Sequence, residues 1–93
     1  MNDTIIKSIG PVVAALKHSG AKTVYLFGSA AKGSMKADSD IDLAVSGLPP
    51  ENFFKALGTV SSLIDQSIHL IDLDEVTPFT RYLKEEGELQ RVG

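Results

Sequence analysis

Apolar residues recur along this chain in two rhythms. From Thr4 to His18 they return every third or fourth position: Ile5, Ile9, Val12 and Leu16 fall on one face, with Ile6 and Val13 beside them. That spacing predicts an amphipathic helix. Gly10-Pro11 stands inside it. An interior proline removes a main-chain hydrogen bond and crowds the preceding turn, so a kink or a restart is expected there. Gly20 supplies a stop, with His18 near the helix end placed to meet the terminal carbonyls. Thr23 to Phe27 (TVYLF) is β-branched, aromatic and almost wholly apolar, which predicts a buried central strand. The rhythm then shortens to two. In Asp40 to Val45 (DIDLAV), Ile41, Leu43 and Val45 share one side of a strand, and Asp40, Asp42 and Ala44 share the other.

The remaining elements follow from the same reading. Ser29 to Gly33 is long enough for one short helical turn, and Ser34 to Ser39 is polar and loop-like. Gly47 to Pro50 reads as a turn. A second helix is predicted over 50–66, with proline near its start and an apolar stripe of Phe53, Phe54, Leu57, Val60 and Ile64. Ser67 to Leu73 (SIHLIDL) is a third strand. Thr77 caps a last helix that has Pro78 at its first position and ends near Gly87. The order is α-β-(short α)-β-α-β-α. A small sheet with helices is a two-layer α/β (α+β) domain, although the pattern alone leaves the strand order open.

Composition narrows the choice of function. Ninety-three residues, 43% of them hydrophobic, suit one globular domain spanning 1–93. The net charge of −3 gives no general attraction for nucleic acid, so direct nucleic-acid binding is not expected and any nucleotide site must be local. The absence of cysteine excludes disulfides, zinc–thiolate sites and thiol catalysis. It agrees with a cytoplasmic location. Neither a signal-like leader nor a run of about 20 apolar residues is visible, so no membrane span is expected.

The chemistry-bearing residues cluster between Tyr25 and Val45. Two aspartates at i and i+2 on a strand point the same way, with side chains starting about 6.5 Å apart. Like charges so close repel, and a shared cation removes that cost. Oxygen ligands favour a hard ion such as magnesium, which keeps waters and commonly shares its coordination with substrate phosphates. Gly28-Ser29 follows the first strand. A glycine there lets backbone approach a phosphate closely, and the next N–H groups and the serine hydroxyl can donate to its oxygens. Lys32 and Lys36 can balance phosphate charge, and taken singly are ordinary solvated lysines. Each feature alone is commonplace; the combination is not.

That combination resembles the minimal nucleotidyltransferases of the DNA polymerase β-like superfamily. Their signature is Gly-Ser followed ten residues later by Asp-x-Asp, and here Gly28-Ser29 is followed by Asp40-Ile41-Asp42. LFGSAAKG resembles the family's LFGSRARG, with Lys32 at its second arginine. DSDIDLAV, Asp38 to Val45, is close to PDSDIDLLV. The resemblance implies a two-layer nucleotidyltransferase fold, a small mixed sheet with helices mainly on one face. It also implies magnesium (or manganese) held by Asp40 and Asp42, with ATP as substrate held by Gly28, Ser29 and Lys32. An acceptor hydroxyl would attack the α-phosphate in line and pyrophosphate would leave. Members are often antitoxins that adenylylate a helical HEPN-type toxin, so a protein hydroxyl is the implied acceptor and such a toxin the implied partner. Transfer to a small molecule of the aminoglycoside kind is disfavoured, because the chain has no residues for a helical substrate domain. A small sheet with one poorly covered face commonly acquires a partner or a second copy, so a homo- or hetero-oligomer is open.

One position departs from the family pattern. A third carboxylate is usual on a later strand, in a segment such as VDLVDL. The matching IHLIDL puts His69 there. Imidazole can take a proton, with an ordinary pKa of about 6.5, or ligate a metal, suiting manganese or zinc better than magnesium. It cannot supply negative charge. His69 is therefore either a catalytic residue with Asp40 and Asp42, or the mark of an impaired homologue that acts as a partner- or nucleotide-binding module. Asp72, three residues on, should face the other way on a regular strand. Asp74 and Glu75 read as polar residues of the next turn.

Overall fold

A computed structural model gives the fold. It describes residues 3–28, 40–87 and 89–93, with side chains from residue 9 onward. Among the described residues, helix α1 (Asp3–His18) leads into β1 (Thr23–Leu26) and β2 (Ile41–Ser46). A 3-10 turn (Pro50–Asn52) opens α2 (Phe53–Ser61), followed by β3 (Ile68–Asp72), α3 (Pro78–Glu86) and β4 (Gln90–Arg91). The four strands form one sheet in the order β3-β2-β1-β4. β1 is antiparallel to β2 and β4, whereas β2 and β3 run parallel. The sheet is therefore mixed, and β3 and β4 are its edges.

Pattern and packing agree on α1. Ile9, Val12 and Leu16 are buried against the sheet. The helix runs through Pro11 without the expected restart. Its apolar stripe continues on both sides of the proline onto one core, and burial of side chains worth roughly 1.5–3 kcal/mol each offsets the roughly 3 kcal/mol that an interior proline costs. The end is a Schellman motif. Gly20 has φ +119°, its N–H donates to Lys17 O, and the N–H of Ala21 donates to Leu16 O. Lys17 rather than His18 crosses the turn, its Nζ donating to Lys22 O at 2.8 Å.

α2 is shorter than the stripe predicts. It stops at Ser61, where the Ser62 hydroxyl donates to Thr59 O and gives the backbone a competing partner. Ala56 and Val60 carry its buried face; Phe54, expected in the stripe, is 80% exposed. α3 starts and stops where its residues predict. Thr77 and Thr80 form a reciprocal capping box, Pro78 occupies the first turn, and Gly87 closes the helix in the left-handed region.

The sheet's two faces are filled unequally. Ile41, Leu43 and Val45 join Val24, Leu26 and the residues of α1 and α2 in the main core. On the other face, Ala44, Phe27 and Leu73 meet Leu83 of α3 in a smaller cluster. The strand β4 has no counterpart in the sequence reading. Its two residues carry no β-pattern, and it is held by main-chain bonds that continue past it, from Val92 N–H to Val24 O and from Val24 N–H to Gly93 O.

The parallel pair β2–β3 is tied at its far end by Asp74. One carboxylate oxygen accepts from the Gly47 N–H at 2.6 Å, the other from the Ser46 hydroxyl at 2.9 Å. These bonds, the Gly47 N–H first, hold the Asp74 carboxyl below its ordinary value of 3.8. A folded value below the unfolded one stabilises the protein above the unfolded pKa, and that stabilisation is lost as pH falls through the folded pKa. Asp74→Ala is expected to lower the melting midpoint at pH 7, and the gap to the parent should narrow below about pH 4. Thermal melts across that range check it.

Candidate nucleotide and metal site

Asp42 and His69 are direct neighbours across the β2–β3 ladder. Alternation puts both on the face opposite the main core, because Leu43 and Leu70, one residue further on, point into that core. The Nδ1 of His69 lies 3.2 Å from Oδ1 of Asp42. The Asp42 side chain is 22% exposed and that of His69 53% exposed. The pair thus opens to solvent while one edge rests on the protein. The Phe27 ring stands edge-on to the imidazole, with centroids 6.0 Å apart, and Phe79 stands edge-on to Phe27 at 5.8 Å. This short aromatic row limits where the imidazole can lie.

The end of β1 completes the corner. The Phe27 N–H donates to the Asp42 carbonyl at 3.1 Å, which brings the following residue alongside the aspartate. Gly28 has φ +62°, a conformation that costs other residues energy. A Cβ on Gly28 would sit 2.5 Å from Oδ2 of Asp42. Backbone freedom and space therefore require glycine together, and the missing side chain is what leaves the carboxylate its place. The glycine of the sequence signature and one of its aspartates are in contact.

Asp40 precedes β2 and is exposed. Ser29 and Lys32, expected to hold the triphosphate, lie outside the described residues, as do Lys36 and the short helical turn expected over Ser29 to Gly33. Among the described residues no three histidine or carboxylate groups converge on a point where a metal would sit. The chemistry of the donors still suits a hard divalent ion: Asp40 and Asp42 offer oxygen, and magnesium ordinarily fills most of its remaining positions with water and phosphate oxygen. Asp72 lies on the other side of β3, paired in register with Val45, and its Oδ1 accepts from the Asp74 N–H at 2.9 Å. It ends β3 and caps the following turn, on the side away from the Asp42 corner. Asp74 was legible as a turn residue; its clamp on the Gly47 turn was not, because the partners lie 27 and 28 positions away.

Comparison with known proteins agrees with the fold. The family model described as Polymerase beta, Nucleotidyltransferase matches residues 12–89. No curated protein matches the chain. Among solved structures, a toxin–antitoxin complex with AMP-PNP superposes with a TM-score of 0.71 at 21% identity, covering 100% of this chain and 73% of that one. A protein described as a candidate minimal nucleotidyltransferase gives 0.74 at 20% identity, covering 98% and 93%. A Shewanella oneidensis complex of a tri-AMPylated HEPN toxin with its MNT antitoxin gives 0.69 at 18% identity, covering 96% and 71%. At such identities the likeness is one of fold, and the mixed sheet and helices are those of the nucleotidyltransferase fold.

Proposed function

Because this chain belongs to the polymerase beta nucleotidyltransferase family, we propose that it transfers a nucleoside monophosphate, AMP from ATP, to a hydroxyl of a partner protein. The observation that carries the reading is the meeting of Gly28, Asp42 and His69 at one open corner of the sheet. In this reading the backbone after β1, with Ser29 and Lys32, receives the triphosphate, while Asp40 and Asp42 hold the magnesium. When bound, such an ion neutralises charge on the α-phosphate and on the leaving pyrophosphate. The acceptor oxygen bonds to the α-phosphorus as the bond to pyrophosphate breaks. Asp42 orients His69 through Nδ1, which leaves Nε2 for the proton of the acceptor hydroxyl, the logic by which a carboxylate fixes a working imidazole.

The acceptor in this reading is a HEPN-type toxin, with this chain as its cytoplasmic antitoxin. Support comes from fold likeness to proteins found in such complexes. The half-exposed imidazole suits a large acceptor, since a protein hydroxyl must reach it from outside. A second reading rests on the donors present: with no third carboxylate at the corner among the described residues, the chain neutralises its partner by contact alone. Incubation with α-labelled ATP, magnesium or manganese, and a purified HEPN-type partner separates them. Label on the partner is expected; neutralisation without label supports the second reading.

A further inference from the structure

The outer side of β3 carries an apolar groove that the transfer chemistry does not use. β3 is a sheet edge. The Ile41 N–H donates to Ser67 O and the Leu73 N–H to Val45 O, so odd-numbered residues of this segment turn their main chain toward β2. Ile68, Leu70 and Asp72 turn theirs outward. Among the described residues none forms a ladder with the outward groups of Ile68 and Leu70. Beside this open edge runs a groove of about 440 Å³, walled by Phe53 and Phe54 of α2, Leu70 of β3, and Phe79 of α3. Phe54 and Val76, 80% and 79% exposed, are the most exposed large apolar side chains among the described residues. Phe54 lines the groove, and Val76 sits between its lining residues Glu75 and Thr77. Apolar surface gathered beside unpaired main chain marks a docking place more often than chance exposure.

We propose that this edge takes an extended segment of a partner protein by strand addition, apolar at alternate positions and flanked by lysine or arginine. Open N–H and C=O groups call for a strand, because the main chain of a helix is already satisfied. Charge sets the flanks: the groove is lined by two carboxylates, Asp72 and Glu75, and by no cation. A second copy of this chain, at net charge −3, meets that acidic rim with the wrong sign. Asp42 and His69 do not line this groove, although Phe79 is shared between it and the Phe27 ring beside His69.

The test uses the whole chain and a fluorescein-labelled heptapeptide of alternating valine and threonine with a lysine at each end. Saturable binding is expected, with amide hydrogen exchange slowed at Ile68 and Leu70. Glutamate in place of the lysines, or proline in place of the central residue, should weaken binding by about tenfold or more. Phe54→Ser should weaken it by about fivefold at an unchanged melting midpoint. Glu75→Lys should reverse the preference between the lysine and glutamate peptides. Absence of saturable binding, equal binding of the three peptides, or protection confined to other strands overturns the proposal.

Discussion

The Asp40→Asn, Asp42→Asn double variant is expected to lose transfer of labelled AMP by about a thousandfold or more. Asparagine keeps the shape of each side chain and removes the charge that draws a divalent ion. The fold should survive. Asp40 is exposed, and among the described residues the Asp42 side chain meets His69 and the space left by Gly28. The melting midpoint should therefore stay close to that of the parent, measured by circular dichroism beside the transfer assay. Loss of the fold would mean that one of these aspartates is structural. Neutralisation of the partner by the double variant, with label absent from parent and variant alike, would favour the contact-only reading.

Substitution at His69 has the next largest expected effect. His69→Ala should lower transfer by about a hundredfold or more, the usual contribution of a positioned proton acceptor. The side chain is 53% exposed and, among the described residues, packs on the Phe27 ring and Asp42, so little stability should go with it. His69→Asp is the sharper probe. It places a third carboxylate beside Asp42 and should keep or raise the rate in magnesium, because negative charge and proton-accepting capacity arrive together. A variant in which aspartate abolishes an existing activity would identify the imidazole itself as the working group. Equal rates for all three proteins would remove His69 from the chemistry.

Much of this site was legible because strand alternation is a hard rule. Asp42 and His69 each sit one position from a core residue, Leu43 and Leu70, and that fixes their common face once β2 and β3 pair. The spacing of Gly28 and Asp42 pointed to one corner, and a Cβ on Gly28 would meet the Asp42 carboxylate. Helix ends were legible where one residue sets the cap, by the Thr77 hydroxyl at the start of α3 and the left-handed Gly87 at its end. What failed was non-local. Phe54 fits an apolar stripe by spacing, yet the helix turns it outward, beside the open edge of β3. The end of α2 was missed for a local reason instead: Ser62 bonds back to Thr59, which apolar periodicity does not register. β4 exists because β1 has a free edge for it, a property of the assembled sheet and not of Gln90 or Arg91.

The proposed function requires that the Gly28 turn, Asp42 and His69 face one bound nucleotide. Manganese with a non-hydrolysable ATP analogue tests it most directly, followed by paramagnetic broadening in the NMR spectrum of the labelled chain. The Gly28 amide and the His69 imidazole should broaden together, in step with the analogue, and neither should respond in the Asp40→Asn, Asp42→Asn variant. Broadening that spares both signals while affecting another part of the sheet would contradict the claim.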